Sequence, residues 1–298
     1  MFGCCLPPLF AVHVADGVLA GSWVLGGWVV AGLLAFWGAW RIRDEEIPQV
    51  ALLTAAFFVA SLVHVPIGPT SAHLILNGLL GVVLGRRALL AVPLGLVLQA
   101  ILIGHGGLLT VGVNSVVMGV PALLAWLLFA GLQRLPWLRS PWFGMVLIGG
   151  STLLWVLSVV YSVSLLVSNW TSLLDVPDLR RANEWTFAPL TLAAAAGMAG
   201  LAAWFEQRMR SAREFPLGVL VGEFAVMATA LLNCAVLLWG GQEHWQQLAL
   251  VVFVVHLPIA VVEGVVVGSA VGFLAQVKPA MLRWPVAQEA PCPVDSAL

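Results

Sequence analysis

The sequence predicts an all-α fold, a polytopic bundle of seven to nine transmembrane helices. Of its 298 residues, 61% are hydrophobic and 9% are charged, whereas a soluble domain carries about 25% charged residues. A second observation is a succession of apolar runs close to the ~20 residues that a helix needs to cross a bilayer. With a formal net charge of −1 and one lysine, Lys278, the chain has no basic surface for nucleic acid. We therefore expect membrane lipid, and no nucleic acid, around it.

Nine apolar runs are the candidate spans. Backbone polar groups in hydrocarbon must be hydrogen-bonded within their own segment, so long runs rich in Leu, Val and Ala are helices. The runs cover residues 17–40, 48–65, 72–85, 88–104, 113–133, 142–169, 187–207, 216–240 and 247–275. Because the run at 72–85 is too short to cross about 30 Å upright, we expect a broken or partly re-entrant helix there.

The placement of basic residues predicts the orientation. Short cytoplasmic loops carry most of the Lys and Arg of a membrane protein. With nine spans and the N-terminus outside, two of the 13 basic residues, Arg180 and Arg181, lie outside, and the other 11 face the cytoplasm. The sequence therefore predicts an outer N-terminus and an inner C-terminus in a bacterial inner membrane.

Nucleotide hydrolysis and zinc proteolysis are not predicted for this chain. A P-loop needs a lysine followed by Ser or Thr, but Lys278 is followed by Pro279, and no HExxH motif occurs. We expect the chain not to be an enzyme, and any ATP hydrolysis to take place on a separate subunit.

The six histidines gather toward the outer side of this topology. Four lie in outer loops, His64 lies at the outer end of the second run, and only His256 falls inside a run. The four are His13, His73, His105 and His244. Neutral imidazole is the usual ligand of Ni, Co, Cu and Zn, so this gathering suits capture of a divalent transition metal. The simpler interpretation, that interfacial histidines cap helix ends or bind loop carbonyls, stays open.

A haem-binding membrane cytochrome subunit is the alternative from a different class. Its haem would need two helix histidines at facing depths, and only His256 lies clearly inside a run. An optical spectrum of the purified protein, with or without a Soret band, separates the two hypotheses.

Four ordered motifs carry a resemblance to a known family. Residues 13–17 (HVADG) resemble its H-x-x-[DE]-G opening, and residues 69–81 resemble its S-x-H-x4-G-L-x-G segment. Residues 104–114 are similar to its HGG-x-T-T-L-G-x-N loop, with Leu109 in place of Thr, and residues 256–264 match its H-[IL]-P-L-A-x-x-E-G helix. The chain thus resembles the CbiM/NikM family, the substrate-capture membrane components of energy-coupling factor (ECF) cobalt and nickel transporters.

The resemblance implies a metal site and a set of partners. In that family the metal is held by the N-terminal amine, by the backbone nitrogen and imidazole of the second residue, and by a later histidine. Carried over, Val12 supplies the amine, His13 the amide and imidazole, and His73 the fourth nitrogen. Such a square-planar set suits Ni(II) and accepts Co(II). The implied partners are a transmembrane coupling (T) subunit, cytoplasmic ATPase (A) subunits and, as an optional component, a small accessory membrane subunit.

The numbering of this chain departs from that pattern, since eleven residues precede Val12. One explanation is that Val12 is a GUG start codon and residues 1–11 are not translated; another is that processing removes them. We favour the first. If neither holds, the site must be built from side chains alone.

The domain organisation follows from the same motifs. Residues 1–11 form an N-terminal extension of doubtful status, residues 12–285 a membrane-embedded metal-capture domain, and residues 286–298 a cytoplasmic tail. The region 135–215 carries no motif of the family.

Further residues are predicted in supporting roles. Asp16 either orients an imidazole or caps the first helix. His105, Asn114, His64, His256 and Glu263 are supporting candidates around the site. A stripe of small residues on the first span allows close helix packing, either within the bundle or against a partner helix. The stripe consists of Gly27, Ala31, Ala35 and Ala39.

Overall fold

The computed structural model describes residues 10–11, 13–62, 64–67, 70–168, 179–209, 214–243 and 245–282. These residues form a helical bundle, which confirms the predicted fold class. Its helices are α1 (Gly21–Ala39), α2 (Ile47–Leu62), α3 (Asn77–Leu84), α4 (Ala88–Ile103), α5 (Val111–Leu132), α6 (Pro141–Ser168), α7 (Leu179–Thr186), α8 (Pro189–Met209), α9 (Phe215–Gly240) and α10 (Gln246–Val277). Short 3-10 turns cover Asp44–Glu46, Gly85–Arg87, Pro136–Arg139 and Pro279–Leu282.

Within the described residues, seven helical segments are long and apolar enough to cross a membrane. This number lies at the lower end of the predicted range. The runs predicted at 72–85 and 88–104 form one of these segments, Asn77–Ile103, which contains α3 and α4. The predicted run at 187–207 corresponds to α8, which packs along α6.

Helix α3 is short, as expected for the run at 72–85. Its 8 residues span about 12 Å, less than half of a bilayer core. Gly85, with φ +56°, ends α3, and the 3-10 turn leads into α4. The segment that enters α3 is buried, since Ile75 and Asn77 are both 0% exposed. The chain therefore runs into the interior of the bundle before α3 begins.

A small sheet, which the sequence analysis did not predict, lies beside the helices. Its described strands are β1 (Phe10–Ala11), β2 (His64–Ile67) and β3 (Thr70–His73), in the order β1-β3-β2. Strand β1 runs parallel to β3, and β2 is antiparallel to β3, with His64 opposite His73. Because β1 leads toward His13 and β3 ends at His73, the sheet brings two candidate ligands together.

The small-residue stripe of α1 packs inside the bundle. A Cβ added at Gly27 would lie 2.3 Å from Cγ2 of Val113 on α5, and Ala31 is buried. Ala35 and Ala39 are half-buried. Of the two predicted roles, the contacts support internal packing.

The end of α1 far from His13 is held by Arg87. This buried side chain donates from Nη1 to the carbonyls of Gly38 (2.7 Å) and Trp40 (2.8 Å). Its Nη2 donates to the carbonyl of Arg41 and to Oε2 of Glu46, both at 2.8 Å. A single side chain thus joins the α3–α4 corner to the loop between α1 and α2.

Candidate metal centre

Three imidazoles from separate parts of the chain meet at one place. His13 lies before α1, His73 ends β3, and His105 follows α4. One ring nitrogen from each lies within 4.8 Å of the others. The ring centroids are 4.9 to 5.2 Å apart, and His13 and His73 are buried. We call His13, His73 and His105 the histidine cluster. Among the described residues, it is the group of His, Cys, Asp or Glu side chains whose ligand atoms lie close enough together to hold a metal ion.

His13 is prepared for a ligand by its surroundings. Its Nδ1 and Nε2 are both buried and have no hydrogen-bond partner among the described residues. Burial, and then the closeness of His73 and His105, lower the pKa of His13 well below its usual value of 6.5. The ring is therefore neutral at physiological pH, which is the form that binds a metal ion.

His73 has a defined tautomer. Its Nδ1 lies 2.9 Å from the carbonyl oxygen of Leu74. A carbonyl only accepts hydrogen bonds, so Nδ1 carries the proton and Nε2 carries the lone pair. A hydrogen bond from the distal ring nitrogen to a carbonyl is a common way of orienting a metal-binding histidine.

Asn114 and Thr110 hold the residue that follows His13. The Asn114 side chain accepts from the Val14 amide at 2.9 Å and donates to the Val14 carbonyl at 3.1 Å. The Thr110 hydroxyl donates to that same carbonyl at 2.6 Å. Both residues lie at the start of α5, so this helix positions the segment that carries His13. The supporting role predicted for Asn114 agrees with these contacts.

Asp16 contacts the start of α5. Its Oδ1 accepts from the Thr110 amide at 3.0 Å, at the start of α5. The N-cap residue of α1 is Ala20, which has no side-chain cap. Asp16 therefore binds Thr110, the N-cap residue of α5, and the prediction that it caps the first helix is wrong. It contributes to the centre by fixing the loop between His13 and α1 against α5.

Glycine is required in the loop that carries His105. Gly106 has φ +76°, and a Cβ added there would lie 3.1 Å from Cβ of His13. A Cβ added at Gly107 would lie 2.0 Å from Oδ1 of Asp16. The two glycines thus let the loop approach the segment of His13 closely.

The other predicted residues lie elsewhere or outside the described residues. His256 is buried in α10, its Nδ1 hydrogen-bonds to the Val252 carbonyl, and it is not part of the histidine cluster. Glu263, also in α10, accepts from the Ile75 amide at 2.6 Å. Val12, His244 and the side chain of His64 lie outside the described residues. His105, predicted as a supporting residue, lies in the cluster itself; its outer position after the fourth run was the available signal.

The described residues thus combine helices that are long and apolar enough to span a membrane with three imidazoles that could hold a metal ion. The family model "CbiM: Cobalt uptake substrate-specific transmembrane region" matches residues 13–176 and 182–281. The chain therefore belongs to the CbiM family, as its motifs predicted, and it is an integral membrane protein. The family description is that of an uptake component, neither an enzyme nor a cytochrome, so the haem alternative is not favoured.

Individual relatives agree with this assignment. A Haemophilus influenzae protein named for metal transport is 43% identical over 118 residues, which cover 40% of this chain and 57% of that protein. The cobalt transport protein CbiM of Thermosynechococcus vestitus is 36% identical over 137 residues, covering 43% and 53%. The chain thus spans little more than half the length of these relatives.

The fold is shared with solved structures. A crystal structure described as a transition metal transporter superposes with a TM-score of 0.51 and 20% identity, covering 89% of this chain and 93% of that one. A truncated transition metal transporter gives a TM-score of 0.50 at the same identity, covering 89% and 98%. At this identity the similarity concerns the fold.

Proposed function

We propose that this protein is the membrane subunit that captures a divalent transition metal, Co(II) or Ni(II), for an ECF-type importer. The histidine cluster is the observation that carries the proposal, because its ligand atoms lie within 4.8 Å of one another. An imidazole buried without a partner, as His13 is among the described residues, costs free energy that a bound cation would remove. Membership of the CbiM family supports the same function.

The proposed ligands are His13 and His73, with His105 as a third imidazole. If Val12 is the mature N-terminus, its amine and the His13 amide complete a square-planar set of four nitrogens, which suits Ni(II) and accepts Co(II). If residues before Val12 are retained, the three imidazoles form the protein part of the site. Ni(II) binds more tightly than Co(II) to almost any such set, so selection between them rests on geometry.

The proposed partners supply the energy for transport. A transmembrane T subunit couples this chain to cytoplasmic A subunits that hydrolyse ATP, with a small accessory membrane subunit as an optional component. In the bacterial inner membrane the histidine cluster faces outside, as the distribution of basic residues predicts. The metal is taken up from outside and released inward when the T subunit reorients this subunit.

Metal titration of the purified protein tests the capture step. We expect one Co(II) or Ni(II) per chain, and His73→Ala should abolish metal retention while the protein remains inserted in the membrane. His256→Gln is the matched control, because that histidine lies outside the cluster and should leave the stoichiometry unchanged. An unchanged stoichiometry in His73→Ala would remove His73 from the site.

Two measurements together test which nitrogens bind the metal: the identity of the first residue of the mature chain, and metal binding by His105→Ala. Intact mass and N-terminal sequencing of protein from native membranes identify the first residue. If it is residue 12, the amine chelate is available and His105→Ala should retain the metal. If the chain begins before Val12, His105→Ala should lose it.

Transport measurements with all subunits test the coupling. We expect uptake of Co(II) or Ni(II) into proteoliposomes only when the T and A subunits are present and ATP is supplied on the side of the A subunits. Uptake at the same rate by this chain alone, without ATP, would contradict the ECF assignment.

A further inference from the structure

Glu263 lies deep in the bundle and contacts the segment that carries His73. Its side chain is 0% exposed, and its Oε2 accepts from the Ile75 amide at 2.6 Å, across 188 positions of the chain. Buried backbone amides outside helices and strands need a partner, and here a carboxylate from α10 provides it.

The contact reaches His73 through one peptide unit. The carbonyl of Leu74 and the amide of Ile75 belong to the same planar group. The carbonyl accepts from Nδ1 of His73 at 2.9 Å, and the amide donates to Glu263 at 2.6 Å. Because the group is planar, a carboxylate that fixes the direction of the amide also fixes the direction of the carbonyl that orients the imidazole.

The same chain of hydrogen bonds affects the electronic state of His73. A carboxyl oxygen that accepts from an amide polarises the peptide and makes its carbonyl a stronger acceptor. A stronger acceptor at Nδ1–H raises the basicity of Nε2, which faces a bound metal ion. The arrangement corresponds to a carboxylate that supports a histidine ligand, with a peptide inserted between the two.

Helix α10 gives the carboxylate a rigid support. A Cβ added at Gly222 of α9 would lie 2.9 Å from Cα of Gly264, so the two helices touch beside Glu263. The N-terminus of α3 is held as well: Leu76 has φ +51°, and Nδ2 of the Asn77 side chain donates to Oγ1 of Thr229 on α9 at 2.8 Å. The segment from His73 to Asn77 is therefore fixed from both helices.

We infer that Glu263 is a positioning residue of the metal centre, which orients and polarises His73 through the Leu74–Ile75 peptide. The inference rests on the proposed function for its role in metal capture. The contact itself makes a prediction that needs no metal: Glu263 selects the tautomer of His73 in which Nδ1 is protonated.

The first measurement is the 15N NMR spectrum of histidine-labelled, metal-free protein in nanodiscs, with His73 assigned from a His73→Asn variant. We expect the Nδ1–H tautomer in the parent protein, a mixture of tautomers in Glu263→Ala and a shifted Nε2 resonance in Glu263→Gln. The glutamine variant keeps an oxygen acceptor, so it carries the test if the alanine variant does not fold. His73 resonances identical to those of the parent in a folded variant would overturn the inference.

The second measurement is Co(II) titration followed by the visible absorption of the bound ion. We expect Glu263→Ala to weaken binding by about 10–100-fold and to change the Co(II) spectrum, as supporting residues of metal sites do, and Glu263→Gln to weaken binding less. Glu223→Gln is the matched control: that side chain is a half-buried carboxyl group on α9. Equal losses in the Glu223 and Glu263 variants would overturn the inference, whereas a parent protein that binds no metal would overturn the proposed function.

Discussion

The imidazoles of His13 and His73 stack on each other, with ring centroids 5.2 Å apart and an interplanar angle of 20°. His105 meets both rings edge-on, at interplanar angles of 86° and 72°. Asn114 and Thr110 hold the segment of His13 against α5, His73 lies at the end of β3, and the glycines after His105 allow the third ring to approach. Three sequence-distant elements thus build one buried imidazole group, and its properties can be tested individually.

The first prediction concerns pH. Because burial and then His73 and His105 lower the pKa of His13 well below 6.5, its neutral form persists as the pH falls past that value. If the three imidazoles form the protein part of the site, we expect the Co(II) affinity to remain nearly constant from about pH 8 to about pH 6 and to fall below that range. If the Val12 amine and the His13 amide are ligands, the affinity should fall by about tenfold or more per pH unit already above pH 6.5, because binding then releases their protons. A pH dependence that disagrees with the mature N-terminus of the same sample would contradict the proposed ligand set.

The same pKa has a consequence for stability. The folded state has the lower pKa, so the unfolded chain takes up this proton first as the pH falls. The contribution of His13 to the stability of the metal-free protein is therefore present above pH 6.5 and is lost as the pH falls toward the folded pKa. Thermal unfolding of the metal-free protein over a pH series measures it, and His13→Asn should remove this part of the pH dependence.

The second prediction concerns Asn114. Replacing it with alanine leaves the buried amide of Val14 without its partner and removes one of the two bonds to the Val14 carbonyl. We expect a loss of about 1–3 kcal/mol in stability and weaker metal binding, since the segment of His13 is released from α5. Thermal unfolding and metal titration of the same sample measure both effects.

Thr110→Val is the matched control for that experiment. It removes the hydroxyl bond to the Val14 carbonyl but leaves both Asn114 bonds, so the buried Val14 amide keeps its acceptor and the effect should be smaller than that of Asn114→Ala. Equal metal affinity in Asn114→Ala and the parent protein would show that α5 does not position His13.

The third prediction concerns the glycines of the His105 loop. Gly106→Ala introduces a Cβ at φ +76°, 3.1 Å from Cβ of His13, whereas a Cβ at Gly104 (φ +63°) meets no atom within 4 Å. Both substitutions carry the backbone cost of the left-handed region, about 1–2 kcal/mol, but only the first also displaces His13. We expect metal affinity to be at least about tenfold lower in Gly106→Ala than in Gly104→Ala, a difference of about 1.4 kcal/mol. Indistinguishable affinities would contradict the close approach of this loop to His13.

The fourth prediction concerns Arg87. Removing this buried side chain leaves the Glu46 carboxylate and the carbonyls at the end of α1 without their shared donor. Breaking such a buried pair costs about 3–5 kcal/mol, so Arg87→Ala should strongly lower the unfolding temperature in detergent. The neighbouring Arg86→Ala, which loses one bond to the Trp40 carbonyl, should cost about 1 kcal/mol. Similar losses in the two variants would contradict the assigned role of Arg87.

Local properties of the sequence determined the class of fold. Hydrophobicity along the chain predicts the spans because each helix in a membrane satisfies its own backbone, so a window of about 20 residues contains the information. The short run at 72–85 was predicted as a broken helix for the same reason, and α3 has 8 residues. Four ordered motifs predicted the family and drew attention to His13, His73, His105, Asn114 and Glu263.

Only the tertiary structure decided how these residues meet. His105 joins His13 and His73 because the loop after α4 folds back toward the segment of His13. Hydropathy in a local window does not predict the path of such a loop. Asp16 accepts from the amide of Thr110 at the start of α5, and Glu263 accepts from an amide 188 positions away, because buried amides take the partner that packing brings near them. Sequence by itself determined the helical bundle and identified the candidate histidines. The fold decided the long-range hydrogen bonds and the close glycine contacts around the histidine cluster.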